Sequence, residues 1–118
     1  MDIVYPKLAG KIKGSSIRVP TPNVSCVDLT VQVGREVDKD TINTIFKLSS
    51  ENEMKDVIGY EEDPCVSIDF NTSRESAIFA PEQTRVTDNH LVRILAWYDN
   101  EWAFSCRMAD VANYIGSL

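Results

Sequence analysis

Ile17-Arg18-Val19-Pro20-Thr21-Pro22-Asn23-Val24-Ser25-Cys26-Val27-Asp28-Leu29-Thr30-Val31 is the stretch on which the fold turns. Proline fixes φ and removes a backbone donor, so Pro20 and Pro22 hold the run-in extended and keep it out of an interior ladder. Past Asn23 the residues alternate. Ser25, Val27, Leu29, Val31 and Val33 fall on one face, and Val24, Cys26, Asp28, Thr30 and Gln32 on the other, which predicts a half-buried antiparallel strand. Arg18 stands just before this rigid segment.

Toward the C-terminus, Asp38 is a candidate N-cap for a helix from about Lys39 to Ser50, with Ile42, Ile45, Phe46 and Ser49 as its apolar stripe. Glu51-Asn52-Glu53 ends it, and Asp56 to Tyr60 is ambiguous. Pro64 is expected to open a second alternating strand, with Val66, Ile68 and Phe70 opposite Cys65, Ser67 and Asp69. A polar loop from Asn71 to Ser76 leads to strands at Ala77-Ile78-Phe79 and Thr84 to Thr87, then a turn at Asp88-Asn89. Leu91 to Tyr98 is apolar on both faces except for Arg93, which marks a central strand. A final helix follows, capped by Asp99 or Asn100, with Phe104, Met108, Val111 and Ile115 on one face and Gly116 as terminator. At the other end, Met1 to Gly14 reads as a connector. The order strand, helix, several strands, helix predicts an α+β fold, a mainly antiparallel sheet covered by helices.

Composition bounds the function. The 118 residues, 43% of them hydrophobic, suit one domain or part of one. A net charge of −6 with no run of lysine and arginine makes nucleic acid and anionic membrane poor partners. No apolar run reaches transmembrane length and the N-terminus lacks a signal peptide, so a soluble, intracellular protein is expected. Cys26, Cys65 and Cys106 are odd in number and far apart, against a disulfide framework or a zinc site. There is one histidine, and no G-x-G-x-x-G, P-loop or C-x-x-C. From pattern alone the reading stops at an α+β domain.

The motifs carry it further. Arg18-Val19-Pro20-Thr21-Pro22-Asn23-Val24-Ser25 with Val27-Asp28-Leu29-Thr30, then Ser67-Ile68-Asp69-Phe70-Asn71, and Trp97-Tyr98-Asp99-Asn100-Glu101 closely resemble the C-terminal part of phosphorylating glyceraldehyde-3-phosphate dehydrogenase. The resemblance runs from about Val4 to the C-terminus. It implies that residues 1–118 are the C-terminal part of a catalytic domain, with 101–118 a terminal helix that packs on a nucleotide-binding domain. In that family an S-C-T-T-N cysteine attacks the aldehyde, hydride passes to NAD, and inorganic phosphate releases the product as an acyl phosphate. The cysteine, its activating histidine, the nucleotide fingerprint and most phosphate ligands have no counterpart in these residues, so the chain is expected to be inert alone.

Two positions match family ligands, and a third matches a packing residue. Arg18 corresponds to an arginine that binds substrate phosphate, a role suited to its planar charged fork. Asn100 corresponds to the asparagine that hydrogen-bonds the nicotinamide carboxamide. Phe104 stands where many members place an aromatic, often tyrosine, beside the nicotinamide. The resemblance further implies a cytoplasmic homotetramer that acts in glycolysis. Erythrose-4-phosphate dehydrogenase is the nearest enzymatic alternative, and a non-enzymatic interaction or assembly module is the alternative of another class. Taken singly, Arg18 would be a surface ion pair, Asn100 a helix cap, His90 a structural surface histidine, and the three cysteines packing residues. Arg107 and Asp110 would be solvated or ion-paired. With no nucleotide domain to cover it, the stripe of the last helix is expected to fold back on the sheet, swap with a neighbour or be poorly ordered.

Overall fold

The computed structural model describes residues 3–118, so Met1 and Asp2 of the expected connector lie outside it. Its strands are β1 (Ser25–Gln32), β2 (Ile58–Tyr60), β3 (Ala77–Phe79), β4 (Arg85–Thr87) and β5 (Leu91–Tyr98). The helices are α1 (Lys39–Glu51) and α2 (Trp102–Gly116), and short 3-10 turns lie at Pro6–Leu8, Ser67–Phe70 and Pro81–Gln83. The architecture is α+β, as expected.

β5 is the spine of the five-stranded sheet, whose order is β1-β5-β3-β2. Along one edge it pairs antiparallel with all of β1, from Ser25 opposite Tyr98 to Gln32 opposite Leu91. Its other edge is shared end to end, with β3 opposite Ala96 and Trp97 and β4 opposite Leu91 to Arg93. Only β2 with β3 is parallel. The ambiguous stretch resolves into β2, which is long enough to cover the edge of β3. β4 returns to β5 through Asp88 and Asn89, both at positive φ, a conformation Asp and Asn tolerate.

The register divides the side chains between two faces. Phe79 and Ala96 lie opposite one another on the face covered by α1, where the Phe46 ring stacks on Phe79 at 4.1 Å between centroids. Phe79 is 1% exposed. On the other face Ile78 and Trp97 meet Phe70 and Val24, and the Phe70 and Trp97 rings stack at 5.8 Å. Asp38 caps α1 as expected, accepting from the Thr41 amide at 2.7 Å.

Four expectations need correction. The strand anticipated after Pro64 is a 3-10 turn, because the Asp69 carboxylate accepts from the Val66 amide at 2.8 Å and this local bond outcompetes a ladder. Val66 and Ile68 are exposed, and only Phe70 turns inward. In α1 the inward stripe is rotated. Asn43 faces in, bonded to the Pro81 carbonyl and the Thr84 hydroxyl, and Ile45 is left exposed. The apolar face of β1 is not half-buried, since α1 covers only the β2–β3 side and Val27, Leu29 and Val31 stay exposed.

The fourth correction concerns α2. It is a regular helix that does not fold back on the sheet, and Phe104, Met108, Val111 and Ile115 remain exposed within this chain. Polar anchors rather than apolar packing set its position. Asp99 ties down its start, and the Arg107 guanidinium donates to the Asp56 carbonyl at 2.7 Å while pairing with Asp110.

Candidate functional site

The site is a corner at the end of β5, where the chain leaves the sheet and enters α2. Asp99 is its fixed point. A carboxylate at the start of a helix takes up amides that have no partner within the helix. Asp99 Oδ1 accepts from the amides of Glu101 at 2.9 Å and Trp102 at 2.7 Å. Oδ2 accepts from the Thr72 amide and from Asn23 Nδ2, each at 2.8 Å. Asn23 also donates to Asn71 Oδ1. Three segments distant in sequence are thereby joined, namely the run-in to β1, the loop at Asn71-Thr72 and the start of α2.

Asp99 is 3% exposed. Burial alone pushes its carboxyl pKa upward, but the amides of Trp102, Glu101 and Thr72 and the Asn23 side chain outweigh it, and the group settles from 3.8 down to about 2. It is therefore a permanent anion near neutral pH. Its charge is spent on structure.

Asn100 is the next residue, exposed, and not the cap. Its Oδ1 accepts instead from the Ser25 hydroxyl at 2.7 Å, across the sheet edge where Ser25 opens β1. Between Asn23 and Ser25 stands Val24, buried and at φ 70°, an outlier for a β-branched residue. The bend at Val24 lets Asn23 anchor to Asp99 while Ser25 enters the ladder.

Arg18 lies on exposed coil and has no ion pair among the described residues. Five residues of chain reach at most about 18 Å, which confines Arg18 to the neighbourhood of the Asn23 anchor. Phe104, in the first turn of α2, is 67% exposed, with its ring free for a partner. The fold thus groups Asn100 and Phe104 at one corner and leaves Arg18 on a leash to it.

Other nucleophilic or basic groups stand apart. His90 Nδ1 lies 3.0 Å from the Asp88 carbonyl, inside the β4–β5 turn. All three cysteines are free, and Cys26 is exposed rather than packed. The Cys65 thiol is pushed up by burial and by Glu61, Asp69 and Asp63, the opposite of an activated nucleophile. No cluster among the described residues has the makings of a metal centre, and no helix among them is long and apolar enough to cross a membrane. An open cleft of about 530 Å³ between α1 and β2 is lined by Glu51, Asp56, Glu61, Glu62, Asp63 and Glu75 among others. It contains none of Arg18, Asn100 and Phe104, and its carboxylates would repel a phosphate.

The sequence pointed to Asp99 only as a cap. Its partners Asn23 and Thr72 were missed, as was the Ser25–Asn100 bond, and no local signal reveals partners 76, 27 and 75 positions away.

Comparison with known proteins identifies the lineage. Residues 1–100 match the family described as glyceraldehyde 3-phosphate dehydrogenase, C-terminal domain. The whole chain is 47% identical to a glyceraldehyde-3-phosphate dehydrogenase of Xanthobacter flavus, covering 35% of that protein, and 46% identical to one of Cereibacter sphaeroides, also covering 35%. Over 95% of the chain it is 49% identical to the Pseudomonas aeruginosa enzyme, covering 33% of it. The chain thus spans about a third of the length of the curated relatives it matches. With a family match over residues 1–100 and near-half identity that extends through α2, this chain belongs to the glyceraldehyde-3-phosphate dehydrogenase family and corresponds to its C-terminal domain.

Proposed function

We propose that these residues form the C-terminal part of an NAD-dependent, phosphorylating glyceraldehyde-3-phosphate dehydrogenase, in which Arg18 binds substrate phosphate and Asn100 and Phe104 contact the nicotinamide. The observation that carries this reading is the Asp99 hub, which bonds the segment behind Arg18 to the residue before Asn100. Anchored through Asn23, the segment that carries Arg18 stays within about 18 Å of this corner, so a phosphorylated aldehyde held by Arg18 and a nicotinamide held by Asn100 can meet as hydride transfer between two bound molecules requires.

The residues fit the cofactor. Asn100 keeps its Nδ2 donors unengaged among the described residues, which suits a carboxamide oxygen, and Phe104 presents an open ring face. When bound, NAD supplies the hydride acceptor. The chain's own work is to orient the carboxamide and hold the phosphate end of the aldehyde. The names of the relatives favour glyceraldehyde 3-phosphate over erythrose 4-phosphate as substrate. Catalysis requires a nucleophile and base from outside these residues, so the chain alone is inactive.

A second reading, an assembly surface, is supported by the exposed stripes on β1 and α2. It is compatible with the first, as a homo-oligomeric enzyme would cover them. The test is Arg18→Ala in the natural polypeptide that carries these residues. Losing one partner of a desolvated charge pair costs about 2 to 5 kcal/mol, so the KM for the phosphorylated aldehyde should rise roughly 30-fold or more. Unchanged kinetics toward aldehyde and phosphate would remove Arg18 from the site.

A further inference from the structure

We infer that Ser25 is a positioning residue for the cofactor, acting through Asn100 by fixing which way its side-chain amide faces. The inference rests on the reading of Asn100 as the nicotinamide ligand and deepens it. Asn100 is exposed and follows a rigid residue, but its own side chain has one recorded partner among the described residues, the Ser25 hydroxyl at 2.7 Å. An asparagine amide has an acceptor end and a donor end, and a free one turns either toward a ligand. Here the hydroxyl donates to Oδ1, and the Nδ2 hydrogens have no partner among the described residues and are left for a ligand. The Ser25–Asn100 pair therefore presents donors, and it recognises the oxygen of a carboxamide rather than its nitrogen.

The backbone supports this role. Ser25 sits in register opposite Tyr98, so the two chain ends that carry Ser25 and Asn100 are held by the last rung of the β1–β5 ladder. On its other side Val24 holds a left-handed φ of 70° that a β-branched residue adopts only under constraint, supplied by the Asn23 bonds to Asp99 and Asn71. Ser25 is thus two residues from Asn23, which Asp99 anchors, and Asn100 is next to Asp99 itself. Their separation is set by the fold and not by a flexible loop.

The experiment compares Ser25→Ala, Ser25→Thr, Asn100→Ala and the double variant Ser25→Ala/Asn100→Ala in the natural polypeptide. Ser25→Ala should raise the KM for NAD five- to tenfold, the loss of roughly one neutral hydrogen bond, and leave the KM for the aldehyde unchanged. Transfer of deuterium from C1-labelled aldehyde should begin to reach the second face of the ring. Ser25→Thr, which keeps the hydroxyl, should restore both readouts, and the double variant should be no worse than Asn100→Ala, since residues acting as a unit are not additive. If Asn100→Ala impairs NAD use and Ser25→Ala does not, the positioning role is wrong while the ligand role stands. If Asn100→Ala itself leaves NAD kinetics unchanged, the underlying site reading is what fails. Equal changes in both KM values for Ser25→Ala, or no rescue by threonine, would show only a structural role and overturn the inference.

Discussion

Replacing Asp99 by asparagine keeps the shape of the hub and removes its charge, which isolates the electrostatic part of the design. The carboxylate receives four donors, two on each oxygen. An amide of the same size has one oxygen and one NH2 group, so in either orientation two of the four donors face another donor. A buried donor left unsatisfied costs about 1 to 3 kcal/mol, which puts the loss at about 2 to 6 kcal/mol. The stability of a whole domain is about 5 to 15 kcal/mol, so the variant should be severely weakened. The pH dependence gives a second handle. Because the folded carboxyl lies at about 2 against an ordinary 3.8, it contributes about 2 kcal/mol, fully present above pH ~4 and lost as pH falls through the folded value. Urea unfolding between pH 7 and pH 2 reads both effects. Asp99→Asn should unfold at much lower urea at pH 7 and should lack this acid-linked loss. A destabilisation under about 0.5 kcal/mol with an unchanged acid profile would refute the hub.

Two further substitutions probe the layers that hold the corner in place. A Cβ at Gly59 would lie 3.0 Å from Ile78 Cγ1 and 3.3 Å from Cγ2, so Gly59→Ala should force the β2–β3 contact apart and cost about 1 to 3 kcal/mol in denaturant unfolding. Wild-type stability would mean that Ile78 moves aside freely. Phe79→Ala empties the contact between the sheet and α1 and should cost about 3 to 5 kcal/mol. A loss below about 1 kcal/mol would show that the Phe46 stack contributes little.

Periodicity revealed the elements whose partners are generic. β5, apolar on both faces, announced its central place, and Asp38 announced the start of α1, because burial and capping leave local signatures. Where one specific side chain decided the outcome, the pattern misled. Val66, Ile68 and Phe70 alternate like a strand, but the Asp69 carboxylate winds them into a turn. Ile45 has helical spacing for the core, yet Asn43 takes the inward position through its bonds to Pro81 and Thr84. The apolar faces of β1 and α2 stay exposed, because the burial their spacing predicts is not supplied by the described residues. Of the proposed site, Arg18, Asn100 and Phe104 were legible only through resemblance. Ser25 and Asn23 were not legible at all, since their partners are distant in sequence and meet only in the folded corner.

The most direct test of the account is NADH formation from D-glyceraldehyde 3-phosphate and inorganic phosphate. It should be measured side by side for the natural polypeptide that carries these residues and for the 118-residue chain alone. Phosphate-dependent NADH formation is expected from the natural polypeptide and none from the chain. No turnover by the natural polypeptide, or turnover by the chain without any added segment, would contradict it.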